Sequence, residues 1–220
     1  MRVALFGGSF DPPHVGHQLA CLYVLSTYPV DEVWMIPVFR HAFDKRSAPF
    51  AHRVAMCELA AAAVGPRVKV CTIEQDLADK SYTLRTVRAL MARHPEHELS
   101  LVIGTDLLKE RERWYGWPEL ARLVPFLVLG RGGVHGASDL PEPPARDLCH
   151  AEGIDLPAVS STAVRERLAA DAMPSGWVDQ RVLAYIKEHG LYRAPASASH
   201  TDPPDASPDP VSPSRRRSPS

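Results

Sequence analysis

Apolar positions along this chain follow two rhythms that alternate. Short continuous runs, the first being Val3-Ala4-Leu5-Phe6, lie at 3–6, 32–37, 68–72, 99–103 and 126–129, and each reads as a buried strand. Between them, apolar residues three and four apart predict helices over 15–28, 51–64, 83–93 and 117–123. This alternation predicts an α/β architecture, a doubly wound and mainly parallel sheet of five or six strands with helices on both faces. Residues 130–152 are rich in Gly and Pro and read as a loop. A short strand is expected at 154–156 and two helices at 162–170 and 178–189, with Gly190 as the stop signal of the last. After Arg193 the composition turns to Pro, Ser, Ala and Asp. The expectation is one domain over 1–193 and a disordered tail over 194–220, which lacks the apolar residues that ordering requires.

Composition narrows the classes. Lys and Arg total 25 against 26 Asp and Glu, so the net charge of −1 provides no global field for nucleic acid or a membrane surface. The tail's Arg215-Arg216-Arg217 reads as solvated rather than as a nucleic-acid patch. No apolar run approaches the roughly 18 residues of a membrane span, and the N-terminus reads as a core strand. A cytoplasmic protein is expected. Cys21, Cys57, Cys71 and Cys149 are scattered, with no CxxC, and read as free thiols in a reducing compartment.

The chemistry is concentrated directly after the first strand, in Gly7-Gly8-Ser9-Phe10-Asp11-Pro12-Pro13-His14-Val15-Gly16-His17. A strand, a glycine turn and a helix start present unpaired backbone N–H groups and the positive end of a helix dipole, which together favour an anion. Gly16 lets a ligand approach the backbone closely. His14 and His17 lie three apart and point the same way on a helical turn. As a metal pair they lack a nearby carboxylate or thiol cluster, and as plain polar residues they would decorate an amphipathic helix. A second segment, Val159-Ser160-Ser161-Thr162-Ala163-Val164-Arg165, is good helix-capping sequence, with hydroxyls and a guanidinium that could equally meet phosphate oxygens.

Taken whole, the first string resembles the (H/T)xGH nucleotidyltransferase superfamily, and its Gly-Gly-Ser-Phe-Asp-Pro narrows the likeness to bacterial nicotinate-nucleotide adenylyltransferases. The second segment resembles that family's I-S-S-T-x-(I/V)-R, with Val159 in place of isoleucine. Ser81-Tyr82-Thr83, Ile103-Gly104-Thr105-Asp106, Trp114 with Glu119-Leu120, Leu129-Gly130-Arg131 and Gly190-Leu191-Tyr192 continue the likeness across residues 1 to 192. One region departs from it. The family's P-P-H-K after the second strand is replaced by Pro37-Val38-Phe39-Arg40-His41-Ala42-Phe43-Asp44-Lys45.

The resemblance implies a Rossmann-like nucleotidylyl transferase fold and adenylyl transfer from ATP to the 5′-phosphate of nicotinate mononucleotide, giving deamido-NAD and pyrophosphate. It implies Gly8, Ser9, Phe10, His14, Gly16, His17, Gly104, Asp106, Ser161, Thr162 and Arg165 around ATP, with His14, His17 and Arg165 catalytic. It implies Tyr82, Thr83, Trp114 and Arg131 on the acceptor side. The departing loop reads in two ways, as a basic loop in which Lys45, with Arg40 or His41 as substitutes, faces the acceptor phosphate, or as a solvated loop. Either Trp114 or Trp117 would stack on the pyridine ring while the other serves the core. Ser81 and Thr83, read without the family, are helix caps. Mg²⁺ is expected, bound through the ATP phosphates and water. The alternatives are another acceptor, such as nicotinamide mononucleotide, and a nucleotide-binding regulator without turnover.

Overall fold

The computed structural model describes residues 1–40, 47–77, 80–105, 113–130, 148–150 and 157–193. Strands β1 (Arg2–Gly8), β2 (Glu32–Pro37), β3 (Val68–Val70), β4 (Glu98–Gly104), β5 (Phe126–Leu129) and β6 (Leu148–His150) form one sheet in the order β3-β2-β1-β4-β5-β6. Every pairing in it is parallel. Helices α1 (Val15–Thr27), α2 (Phe50–Val64), α3 (Thr83–Arg93), α4 (Trp117–Leu123), α5 (Ser161–Ala169) and α6 (Gln180–Glu188) surround it, and a 3-10 turn covers Ile73–Asp76.

Alternation along each strand divides the apolar residues between two layers. Val3 and Leu5 of β1, Leu101 of β4 and Val128 of β5 pack against Leu84, Val87 and Leu90 of α3 and Leu120 of α4. Ala4, Val102 and Leu127 face the other way, against Ala20, Cys21 and Val24 of α1 and Cys57 and Ala61 of α2. Because both faces are covered, the central strands are largely apolar, which explains their near-continuous runs, and the buried Ser100 hydroxyl of β4 donates to the Val3 carbonyl. A third cluster joins Met56 and Ala60 of α2 to Val164 of α5 and Val182, Leu183 and Ile186 of α6. It brings the C-terminal helices onto the side where β1 ends.

The chain reverses its winding between β1 and β4, and their carboxyl ends leave a crevice there. Ligands of open α/β sheets bind at such a point.

Most expected elements lie close to their positions, with two corrections. The sixth strand is Leu148–His150, inside the stretch expected to be loop. It is three residues long and is defined by pairing with β5, where Phe126, Leu127 and Val128 face Leu148, Cys149 and His150. Nothing local marks so short a strand. The third strand also stops at Val70, before the expected Thr72. The strand expected at 154–156, the tail over 194–220, and His41, Lys45, Asp106 and Arg131 lie outside the described residues. Among the described residues, no helix is long and apolar enough to cross a membrane.

Candidate active site

A cavity of about 500 Å³ opens beyond the carboxyl ends of β1 and β4. Gly8, Ser9, Phe10, His14, Gly16, His17, Thr83, Gly104, Trp114, Ser161 and Thr162 line it, so both sequence motifs and the two central segments meet there. Arg40, Tyr82 and Arg165 do not line it.

The turn after β1 is shaped by an aromatic ring turned inward. Phe10 has a left-handed backbone (φ 47°) and is almost fully buried, with its ring edge-on to Phe6 and His17 at 5.6 and 4.9 Å. Gly8 makes room for this, since a Cβ there would lie 3.0 Å from the Phe10 ring. Gly16 does the same for His14, whose ring would be 3.1 Å from a Cβ at that position. Part of the space at Gly16 is therefore taken by the protein itself.

His14 is the N-cap of α1, one residue ahead of the helix, and His17 stands in its first turn. Their rings stack, with centroids 3.7 Å apart and planes 25° from parallel. The His14 backbone N–H donates to His17 Nδ1 at 3.1 Å. A backbone N–H can only donate, so Nδ1 carries no proton and Nε2–H is left as the donor of that ring.

The second motif is tied to the first by direct bonds. Ser160 is the N-cap of α5, and its hydroxyl accepts from the Ala163 N–H. That leaves Ser161 free of capping, and its hydroxyl donates to the Pro12 carbonyl at 2.9 Å. Arg165 donates through Nη1 to the Asp11 carbonyl at 2.7 Å and through Nη2 to Thr162 Oγ1 at 3.2 Å. Its guanidinium thus holds the two motifs together.

Sequence reasoning passed over three charged groups beneath the turn. Asp11 is wholly buried, and its Oδ1 accepts from the Ala48 N–H and the Tyr192 hydroxyl at 3.0 and 2.7 Å. Arg53 of α2, also buried, donates to the Ser9 and Ala48 carbonyls, both at 2.9 Å. Burial pulls the Arg53 guanidinium below its ordinary value, against the opposing pull of the Asp11 charge. Glu74 lines the cavity, and its carboxylate accepts from the Phe39 N–H and the Thr86 hydroxyl, each at 2.9 Å. Arg53 falls within the helix expected over 51–64, but only its partners reveal its task.

On the acceptor side, Trp114 lines the cavity while Trp117 is buried in the core against Phe126 at 5.1 Å. The choice between the two is made by α4, whose first residue is Trp117. Ser81 and Thr83 do not cap α3. Its N-cap is Tyr82, without a side-chain bond, and the Ser81 hydroxyl accepts instead from the Arg40 N–H at 3.1 Å. The Ser81 N–H returns a bond to the Arg40 carbonyl at 3.0 Å, so the segment after β2 is laced to the start of α3. The Arg40 guanidinium lies over the Phe39 ring.

Comparison with known proteins agrees with this geometry. A family model described as cytidylyltransferase-like matches residues 5–167. The chain belongs to that family. It is 43% identical over 195 residues to a probable nicotinate-nucleotide adenylyltransferase of Anaeromyxobacter sp. (strain K), covering 87% of this chain and 97% of that one. It is 34% identical over 197 residues to the nicotinate-nucleotide adenylyltransferase of Bacillus subtilis (strain 168), covering 88% and 99%. Among solved structures, the Plasmodium falciparum nicotinic acid mononucleotide adenylyltransferase complexed with NaAD superposes with a TM-score of 0.72 at 18% identity, over 87% of this chain and 97% of that one. At that identity the likeness is one of fold, and it agrees with the parallel sheet described above.

Proposed function

We propose that this chain is a nicotinate-nucleotide adenylyltransferase, which transfers the adenylyl group of ATP to the 5′-phosphate of nicotinate mononucleotide. The products are deamido-NAD and pyrophosphate, and the reaction belongs to NAD biosynthesis. The observation that carries this reading is the convergence of the two phosphate motifs, with the Ser161 hydroxyl on the Pro12 carbonyl beside the stacked His14 and His17. The names of the relatives support the choice of acceptor.

In this reaction an acceptor phosphate oxygen forms a bond to the α-phosphorus of ATP as the bond to the bridging oxygen of pyrophosphate breaks. A phosphate is already nucleophilic near neutral pH, so the protein has to bring two anions into line and stabilise the departing charge. Backbone N–H groups at the start of α1, together with Gly8, Ser9, Phe10, Gly16, Gly104 and Asp106, would hold the nucleotide. His14 and His17 would face the triphosphate, and the Nε2–H of His17 suits a donor to the α-phosphate. Ser161, Thr162 and Arg165 would hold the β and γ phosphates, for which Arg165 has to reach past its present bonds to Asp11 and Thr162. Trp114 would stack on the pyridine, with Tyr82, Thr83, Arg40, Lys45 and Arg131 toward the acceptor.

Mg²⁺ fits as part of the ATP complex. Among the described residues, the one carboxylate lining the cavity is Glu74, and both its oxygens already accept hydrogen bonds from the protein. A metal there would rest on phosphate oxygens and water, where it neutralises charge on the departing pyrophosphate. Soluble substrates of this kind support a cytoplasmic setting.

The test is pyrophosphate release by the full chain with ATP and Mg²⁺, with nicotinate mononucleotide compared against its nicotinamide counterpart. Release favouring nicotinate is expected. Release favouring nicotinamide would change the acceptor, and ATP binding without release would make the protein a regulator.

A further inference from the structure

At the end of the sheet away from the cavity, α3 and β4 are joined by His94-Pro95-Glu96-His97. The turn is closed by the His97 N–H donating to the His94 carbonyl at 3.0 Å. It brings three metal-ligating side chains together. Glu96 Oε1 lies 3.7 Å from His94 Nδ1 and 3.2 Å from His97 Nδ1. All three ligand atoms fall within 4.8 Å of one another.

We propose that His94, Glu96 and His97 bind one divalent transition-metal ion, of the zinc, nickel or copper class. Bonds of about 2.0 to 2.2 Å at a tetrahedral centre separate neighbouring ligands by about 3.3 to 3.6 Å, and the two distances to Glu96 bracket that edge. The donor set is imidazole and carboxylate, which suits these metals better than Mg²⁺ or Ca²⁺. A second observation comes from His97. Its Nδ1 is buried and makes no hydrogen bond among the described residues, although the carboxylate is close by. A buried ring nitrogen of this kind calls for a partner, and a cation held with Glu96 supplies one.

The two imidazoles are already near parallel, 5.1 Å apart and 10° between planes. Trp34 of β2 stands edge-on to both, at 5.2 Å from His94 and 5.8 Å from His97. Its own indole N–H is fixed by Glu32 at 2.8 Å. Three ligands from one turn leave the remaining coordination positions to water, so the ion would exchange readily. Its effect would be to staple the turn between α3 and β4. The site is separate from nucleotide chemistry, because Thr83 of the cavity lies at the opposite end of the 11-residue α3, about 16 Å away along the helix.

The site predicts that Trp34 reports metal binding. Cu²⁺ titrated into the chelator-treated full chain should quench tryptophan fluorescence with saturation at one equivalent. Zn²⁺ followed by calorimetry should give one site. His94→Ala changes a half-buried side chain and Glu96→Gln an exposed one, and both should preserve the fold, as circular dichroism would verify. Each should weaken Zn²⁺ at least about tenfold, since even partners outside the coordination shell carry about 10- to 100-fold. An absence of saturable binding, or equal affinity in both variants and the parent, would overturn the proposal.

Discussion

The Tyr192 hydroxyl donates to Oδ1 of the buried Asp11 at 2.7 Å, joining residues 181 positions apart. The bond fastens the C-terminal end of the fold beneath the turn that carries His14. Burial, and then the charge of Asp11, push the Tyr192 hydroxyl well above its ordinary value, so it remains a protonated donor at any working pH. Tyr192→Phe keeps the ring and removes the donor. The expected outcome is a loss of about 1 to 3 kcal/mol, read as a lower urea midpoint, because a buried carboxylate is deprived of a partner. An unshifted midpoint would mean that water takes the place of the hydroxyl.

His17→Ala removes the donor assigned to the α-phosphate in flight. Turnover is expected to fall about 100- to 1,000-fold, the usual effect of losing one such group in a transition state. The urea midpoint, measured alongside, separates this from unfolding. Undiminished turnover would end that assignment.

Glu74 provides a pair of variants with opposite outcomes. In Glu74→Ala the half-buried Phe39 N–H and the buried Thr86 hydroxyl lose their acceptor, and a stability loss of about 1 to 3 kcal/mol is expected with a raised KM for the acceptor. Glu74→Gln should be close to the parent. Its amide oxygen can accept from Phe39, and the Thr86 hydroxyl can turn its proton to the Tyr82 carbonyl, 3.3 Å away, and accept from the new amide. Unfolding curves and initial rates for both variants check this. Equal losses would show that the negative charge, rather than the acceptor atoms, is what the site needs.

The buried thiols set a pH dependence. Burial pushes Cys21 up to about 12 and Cys57 well above its ordinary 9.0. In the unfolded chain these thiols ionise near 9.0 while the folded protein keeps them protonated, so the unfolded state binds fewer protons and stability falls as pH rises from 9.0 toward about 12. At pH 8 the folded Cys21 is a thiolate only to the extent of ~10⁻⁴, so a thiol reagent should modify it after denaturation and not before. Mass spectrometry of the labelled peptides reads this directly. Rapid labelling of Cys21 in the native protein would contradict it.

The sequence by itself determined the layers and the places of the two motifs. Local chemistry suffices for that. The run at 32–37 is apolar because both faces of a parallel strand are covered, and the periodicity at 83–93 marks one buried stripe on a helix, so both bounds agree with Glu32–Pro37 and Thr83–Arg93. The stop after β1 at Gly7-Gly8 and the hydroxyls before α5 are equally local signals. Tertiary structure decided the rest. It made a strand of Leu148–His150 through pairing with β5, and it separated Trp114 in the cavity from Trp117 in the core. It also turned Asp11, Arg53 and Glu74 inward. A buried charge is tolerated only where distant groups compensate it, as Ala48 and Tyr192 do at Oδ1 of Asp11 and the Arg165 guanidinium does at 3.6 Å from Oδ2. Those partners are neighbours only in three dimensions, so no pattern along the chain announces them.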